Sequence, residues 1–206
     1  MMWSLDRYGR MARFYDVLSL EWPVYRVGRE LGIEALGLGP GDRVLDLGCG
    51  TGLSFPLVRA AVGAGGAVVG VDASAVMVRQ ARARVTRAGW RNVDVLRGDA
   101  AFPLPAGQPF DAVLCTYALS VIGDWRQAWA RAWAVLRPGG RVTVVDLALP
   151  SGRWRVMSPA ARLACFAGGS DPRRHPWTMV LDQAVEVSHL TRWGGHVHVV
   201  SGTRPV

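Results

Sequence analysis

A chain of 206 residues, half of them apolar, is long enough to bury a full core without staples and too apolar to remain unfolded. Its three cysteines, Cys49, Cys115 and Cys165, are odd in number and lack C-x-x-C spacing, which argues against a disulfide framework or structural zinc and suits a reducing cytosol. The net charge of +8 rests on arginine, for there is no lysine; it reads either as a basic surface for nucleic acid, anionic lipid or an acidic substrate, or as compositional drift in a chain rich in Ala, Gly and Val.

No stretch approaches the ~18 to 20 apolar residues of a membrane span. Asp6, Arg7, Arg10 and Arg13 interrupt any apolar signal core. A cytoplasmic protein is expected, with peripheral membrane contact left open.

In chain order, residues 4–36 read as helical. Tyr8, Met11, Phe14, Tyr15 and Leu18 recur at three and four spacing, Pro23 interrupts, and Val24 to Leu36 resumes the pattern. A turn at Gly37 to Gly41 leads to a strand, Arg43 to Leu47, and a helix, Leu53 to Ala61. A strand over Ala67 to Asp72 precedes a helix from Ala75 to Gly89. Two further strands follow, Val93 to Arg97 and Asp111 to Thr116. The helix Trp125 to Leu136 stops at Pro138-Gly139-Gly140, before a strand from Arg141 to Leu147. Short helices are expected at Pro159 to Ala167 and Trp177 to Ala184. Two strand-like runs, Val185 to Trp193 and His196 to Gly202, flank Gly194-Gly195 and predict a tight hairpin. Apolar strands alternating with helices imply right-handed βαβ units and a largely parallel sheet.

The segment Val44-Leu45-Asp46-Leu47-Gly48-Cys49-Gly50-Thr51-Gly52 carries the most information. It reads as an apolar strand tip, a glycine loop and a helix start at Leu53. Glycine at every second position leaves backbone bare for a ligand, and the helix start offers unpaired N–H groups. A nucleotide phosphate loop needs a lysine that this chain lacks. Dinucleotide sites prefer G-x-G-x-x-G, whereas the pattern here is G-x-G-x-G.

This loop resembles the first motif of the class I S-adenosylmethionine (SAM) dependent methyltransferases. Val71-Asp72-Ala73-Ser74 with Met77 and Ala81 is similar to that family's D-x-S-x-x-M-x-x-x-A pattern, and Gly98-Asp99-Ala100, Phe110-Asp111 and Pro138-Gly139-Gly140 follow in family order. The resemblance implies a Rossmann-like α/β fold: a doubly wound, seven-stranded, mostly parallel sheet with a C-terminal antiparallel hairpin and an N-terminal helical cap. A single domain over residues 1–206 is expected, with the cap at 1–36, a SAM-binding core at 37–150 and substrate-side helices and hairpin at 151–206.

The cofactor residues so implied are Asp46, Gly48, Cys49, Gly50, Gly52, Asp72, Ala73, Met77, Asp99, Ala100 and Thr116. Asp72 is suited to accept both ribose hydroxyl protons. Asp99 takes the place of the acid that meets the adenine amino group. Met77 lies near the adenine or simply packs its helix. Asp111 reads as structural and stays outside the site.

For the acceptor, the Asn/Asp-Pro-Pro-aromatic motif of nucleobase methyltransferases is missing from Cys115-Thr116-Tyr117-Ala118-Leu119-Ser120. Tyr15-Asp16 resembles a pair in ubiquinone/menaquinone C-methyltransferases, related to the phospholipid N-methyltransferase-like group. Candidate catalytic residues are His175, Tyr15 and Tyr117, each with packing as its alternative. His196 and His198 alternate on a strand, but two ligands make no metal site. Trp125, Trp129 and Trp133 form a packing stripe, and Arg79, Arg82, Arg84, Arg87 and Arg91 read as a solvated face or a lipid or RNA contact. The expected function is SAM-dependent methylation of a small, lipophilic molecule such as a quinone precursor or an aminophospholipid-like acceptor. The alternatives are an RNA methyltransferase and a non-catalytic SAM-binding partner subunit. Acceptor atom, base and oligomeric state are not legible.

Overall fold

Every strand expected from the parallel-sheet pattern pairs in a computed structural model, which describes residues 25–101 and 107–206. The strands are β1 (Arg43–Leu47), β2 (Ala67–Asp72), β3 (Val93–Arg97), β4 (Phe110–Thr116), β5 (Leu136–Leu147), β6 (Val185–Arg192) and β7 (Val197–Thr203). The helices are α1 (Arg26–Leu36), α2 (Phe55–Val62), α3 (Ala75–Ala88), α4 (Trp125–Val135), α5 (Ser158–Gly168) and α6 (Thr178–Gln183), with a 3-10 turn at Gly152–Met157. Of the helical cap only α1 lies among the described residues; Tyr15 and Asp16 lie outside them.

The seven strands run in the order β3-β2-β1-β4-β5-β7-β6. β1 to β5 are parallel, and β7 pairs antiparallel with both β5 and β6. The winding reverses between β1 and β4, so a crevice opens beyond their carboxyl ends, the place where open parallel sheets bind ligands. Both faces are apolar because both are covered. Leu45, Leu47, Val113 and Cys115 face α4 and α6 through Trp125, Trp129, Trp177 and Val180. Val44, Val68, Ala112 and Leu114 face α1 to α3 through Ile33, Phe55, Val58 and Val78.

Local signals explain the helix ends. Ser74 caps α3 by accepting the Met77 N–H, and Gly89 closes it in the left-handed region. The Trp stripe packs: Trp129 and Trp133 stack at 5.3 Å, and Trp129 donates to Gln183 Oε1 at 2.9 Å. Two of the α3 arginines serve the fold, Arg82 donating to the Val95 carbonyl and Arg84 to that of Thr51.

Some boundaries differ from the sequence expectation. The second helix starts at Phe55 rather than Leu53. The helix before Pro138 ends at Val135, and β5 begins at Leu136 rather than Arg141. Phe110 pairs Leu136 and Ala112 pairs Arg141, so Arg137 to Gly140 bulge out within the strand. Arg204 holds that bulge, exchanging hydrogen bonds with Gly139 and Gly140. The hairpin turn is four residues, Trp193 to His196, not a tight Gly-Gly pair. It is shaped by docking, since Ser151 N–H donates to the Gly194 carbonyl at 2.8 Å. His196 therefore leaves the strand and does not share its face with His198. Its Nδ1–H donates to the Ala148 carbonyl at 2.6 Å.

Candidate functional site

The carboxyl end of β1 is built mostly from backbone. Gly48 and Cys49 N–H groups both donate to the Val71 carbonyl, at 2.8 and 3.0 Å, tying the loop to β2. Asp72, ending β2, accepts the Gly50 N–H on Oδ2 at 3.0 Å and the Ser74 N–H on Oδ1 at 2.8 Å. Each of its oxygens keeps an acceptor position. Burial pushes the Asp72 carboxyl up, against the pull of those two N–H groups.

The loop needs missing side chains for two reasons. A Cβ on Gly48 would stand 2.3 Å from that of Ala118, and one on Gly52 would stand 2.5 Å from the Phe55 ring. Phe55 is fully buried beneath the loop and also faces Gly70 of β2. Gly50 differs: its φ is +55°, yet nothing lies within 4 Å of a Cβ there, so this turn of backbone borders open space.

Asp46 stands at the inner wall. Its side chain is 0% exposed, and neither carboxylate oxygen has a hydrogen-bond partner among the described residues. Burial raises its pKa to about 7; the Arg29 guanidinium opposes this, Asp72 adds to it, and the Ser54 hydroxyl, near the carboxylate but outside hydrogen-bond geometry, opposes it. A buried carboxylate without a donor is costly and marks a place where a ligand's donor belongs.

The opposite wall is the carboxyl end of β5. Asp146 is fully buried and accepts three bonds: Ser120 N–H at 3.0 Å, Ser120 Oγ–H at 2.6 Å and Leu147 N–H at 2.8 Å. Burial still pushes it up to about 6. Ser120 Oγ also lies 2.7 Å from Ser170 Oγ, beyond α5. Arg174 fastens the same loop by donating to the Ser120 and Ile122 carbonyls at 3.2 and 2.7 Å. Ser170 lines an open pocket of about 270 Å³ with Arg162, Phe166, Gly169, Asp171 and Pro172.

Residues 44–140 match a family model described as a methyltransferase domain. Among curated relatives, 2-phytyl-1,4-naphtoquinone methyltransferase of Thermosynechococcus vestitus is 33% identical over 145 residues, covering 69% of this chain and 64% of its own length. Aklanonic acid methyltransferase DauC of a Streptomyces species is 32% identical, covering 70% of this chain and 65% of that protein. Nocamycin O-methyltransferase of Saccharothrix syringae is 38% identical, with 66% and 48% covered. The chain thus spans between about half and two thirds of these relatives' lengths. Among solved structures, a phosphoethanolamine N-methyltransferase of Haemonchus contortus aligns with a TM-score of 0.76 at 16% identity, over 98% of this chain and 59% of that one. A SAM-dependent methyltransferase of Aquifex aeolicus gives 0.64 at 21% identity, over 91% and 96%. Residues 44–140 thus resemble a methyltransferase domain.

Its family's cofactor is SAM, and the residues of this domain fit that molecule. Asp46, with its unpartnered oxygens, stands on β1 just before the loop, and Gly50 within that loop borders open space. Asp72 is close enough to raise the cost of charging Asp46. Thr116 lies two residues past Leu114, the partner of Asp46 in the sheet, and so reaches the same mouth. Cys49 is buried in the loop, and Met77 is buried in the first turn of α3. Ala73 follows Asp72 directly. Beyond β3, Asp99 is exposed and accepts the Ala101 N–H at 3.0 Å, whereas Ala100 is buried in the core.

The acceptor-side candidates are scattered. Tyr117, at φ +57°, sends its hydroxyl to the Tyr25 carbonyl at 3.1 Å and packs edge-on against the Tyr25 ring. Its hydroxyl also fills the space beside Gly28, so it ties α1 to the end of β4. His175 is exposed, 4.9 Å from the Trp177 ring. Trp177 in turn stacks on His198 at 4.1 Å, and His198 Nδ1 lies 2.9 Å from His189 Nε2. Burial, then the neighbouring His189, lowers His198 to about 4.

Sequence reading missed Phe55, Asp146 and Ser170, and reached Ser120 only as the last residue of the acceptor-side stretch Cys115 to Ser120. For Asp146 a signal was present, since it is an acid closing an apolar strand, as Asp46 and Asp72 are. Ser120 and Ser170 carry no such mark, being 50 residues apart.

Proposed function

We propose that this protein transfers the methyl group of SAM to a small, lipophilic acceptor. The observation that carries the reading is Asp46, a fully buried carboxylate without a hydrogen-bond donor among the described residues, two residues before a glycine loop that borders open space at Gly50. The named activities of the relatives, on a naphthoquinone and on aklanonic acid, support a small-molecule acceptor.

SAM bears its methyl on a positively charged sulfur, so when bound it supplies the activated group itself. The chain's residues therefore chiefly bind and orient, which accounts for ~7 to 11 kcal/mol in well-aligned transfers. Asp46 would receive the ammonium group, regaining its charge as it gains a donor. Asp72 would hold the ribose hydroxyls with the acceptor positions left by Gly50 and Ser74. Asp99, exposed beyond β3, would meet the adenine amino group. On the acceptor side, the Ser170–Ser120–Asp146 chain offers a path for a proton from a hydroxyl or amine into a buried carboxylate. His175, outside that chain, is the second position for a base.

The test is labelled SAM incubated with the protein and separate lipid, small-metabolite and RNA fractions. Label in the lipid or small-metabolite fraction is expected. Label in RNA alone overturns the acceptor class, and SAM binding with no label anywhere overturns the enzyme. Arg82 and Arg84, engaged with the Val95 and Thr51 carbonyls, argue against an RNA-binding stripe on α3.

A further inference from the structure

The stretch from Pro150 to Ser170 carries Arg153, Arg155 and Arg162 and no acidic residue. It folds as the 3-10 turn and α5, and it is the most apolar exposed surface among the described residues. Val156 is 79% exposed, Leu163 69%, Met157 50% and Trp154 37%. Among the described side chains of α5, Ala161 and Cys165 turn inward and are buried. A helix that meets only water presents polar residues outward. Here the outward side chains are apolar, with arginines between them, and the Arg153 guanidinium lies over the Trp154 ring at 5.6 Å.

This composition is that of an element lying in a bilayer interface: apolar side chains and a tryptophan for the acyl boundary, arginines for anionic headgroups, no acid to repel them. A second copy of the chain is a poor occupant. A two-fold contact would set this acid-free patch against itself, arginines facing arginines. The pocket at Ser170 shares Arg162 with the patch, so its mouth opens on the same surface.

We infer that the 3-10 turn and α5 dock on the surface of an anionic phospholipid membrane, presenting the Ser170 pocket to molecules dissolved in it. The inference rests on the proposed lipophilic acceptor only for the purpose of docking, not for the docking itself.

The experiment is flotation of the full chain with vesicles of phosphatidylcholine alone and with 30% phosphatidylglycerol added. Preferential binding to the anionic vesicles is expected, weakening as salt rises. Val156→Ser, Met157→Ser and Leu163→Ser combined should lower the vesicle partition by about tenfold or more. Arg153→Ala and Arg155→Ala should each lower it roughly fivefold. SAM affinity, measured in parallel, should stay unchanged and shows that the variants fold. Absence of binding to anionic vesicles, or binding that the triple variant retains in full, overturns the inference. So does light scattering that shows the wild type dimeric and the triple variant monomeric. Vesicle binding by a protein that labels no lipid or small molecule leaves the docking surface standing and removes only the acceptor reading.

Discussion

The two ends of the crevice are built by different means. At the end of β1 and β2, the loop Gly48 to Gly52 is held by hydrogen bonds from Gly48 and Cys49 to Val71 and from Gly50 to Asp72. Its chemistry comes from backbone and from acids that close adjacent strands. At the end of β4 and β5, Ser120, Asp146, and Ser170 with Arg174 come from three separate segments and meet through side chains. On the proposed reading the first end holds one unchanging molecule, which backbone geometry serves well, and the second faces the variable partner, where side chains can be exchanged without disturbing the loop. This is why a chain of this kind declares its donor more readily than its acceptor.

The contrast can be broken most sharply at Gly50. Gly50→Val puts a β-branched residue at φ +55° and fills the open side of the crevice, so SAM binding by calorimetry should be lost outright. Phe55→Ala removes a fully buried ring from beneath the loop. It should lower unfolding stability by ~3 to 5 kcal/mol in urea and weaken SAM binding with it. A variant that loses stability but keeps SAM affinity would show that the loop stands without its support.

Asp46 separates stability from function. Its pKa of about 7 exceeds the ordinary carboxylate value of 3.8, as does that of Asp146 at about 6. The folded state therefore binds these protons more tightly than the unfolded state. Their stabilising contribution is complete below pH 3.8 and is lost as pH rises toward 7. Thermal unfolding of the protein without SAM should show stability falling between about pH 4 and 7. Asp46→Asn should raise stability at pH 8 by roughly 2 to 3 kcal/mol and flatten that dependence, while lowering SAM affinity. An unaltered pH profile in this variant would show that the carboxylate is charged and paired in the absence of SAM.

Asp72→Ala removes two loop contacts as well as the proposed ribose contact, and should weaken SAM binding by roughly 1 to 3 kcal/mol. The smallest effect belongs to the acceptor side. Ser170→Ala should leave SAM affinity unchanged, lower methyl transfer by about tenfold and shift its pH profile. A drop in SAM affinity there would mean that the two ends are not separable.

Most of the parallel sheet was legible because its signals are local. Five apolar runs, with helices between them except from the third to the fourth, are consistent with the observed β1 to β5 once β5 is allowed its bulge. The bulge itself was not legible. Pro138-Gly139-Gly140 stops a helix in any context, but its place inside a strand depends on Phe110 pairing Leu136 and on Arg204 reaching back to it. The hairpin turn shows the same limit. Gly194-Gly195 announces a reversal, whereas its four-residue shape follows from docking on Ser151 and Trp154. His196 was placed on the wrong side of that boundary for this reason.

The alternation of strands and helices, the glycine loop and the acids closing β1 and β2 were set by residues near one another in the chain. Propensity, periodicity and turn chemistry act over a few residues, so those features are decided before any distant contact forms. The lone carboxylate of Asp46, the ring of Phe55 beneath Gly52 and Gly70, and the Ser170–Ser120–Asp146 chain were decided only in the tertiary structure. Burial and desolvation belong to a position in three dimensions, and no local pattern states which strand ends will face each other.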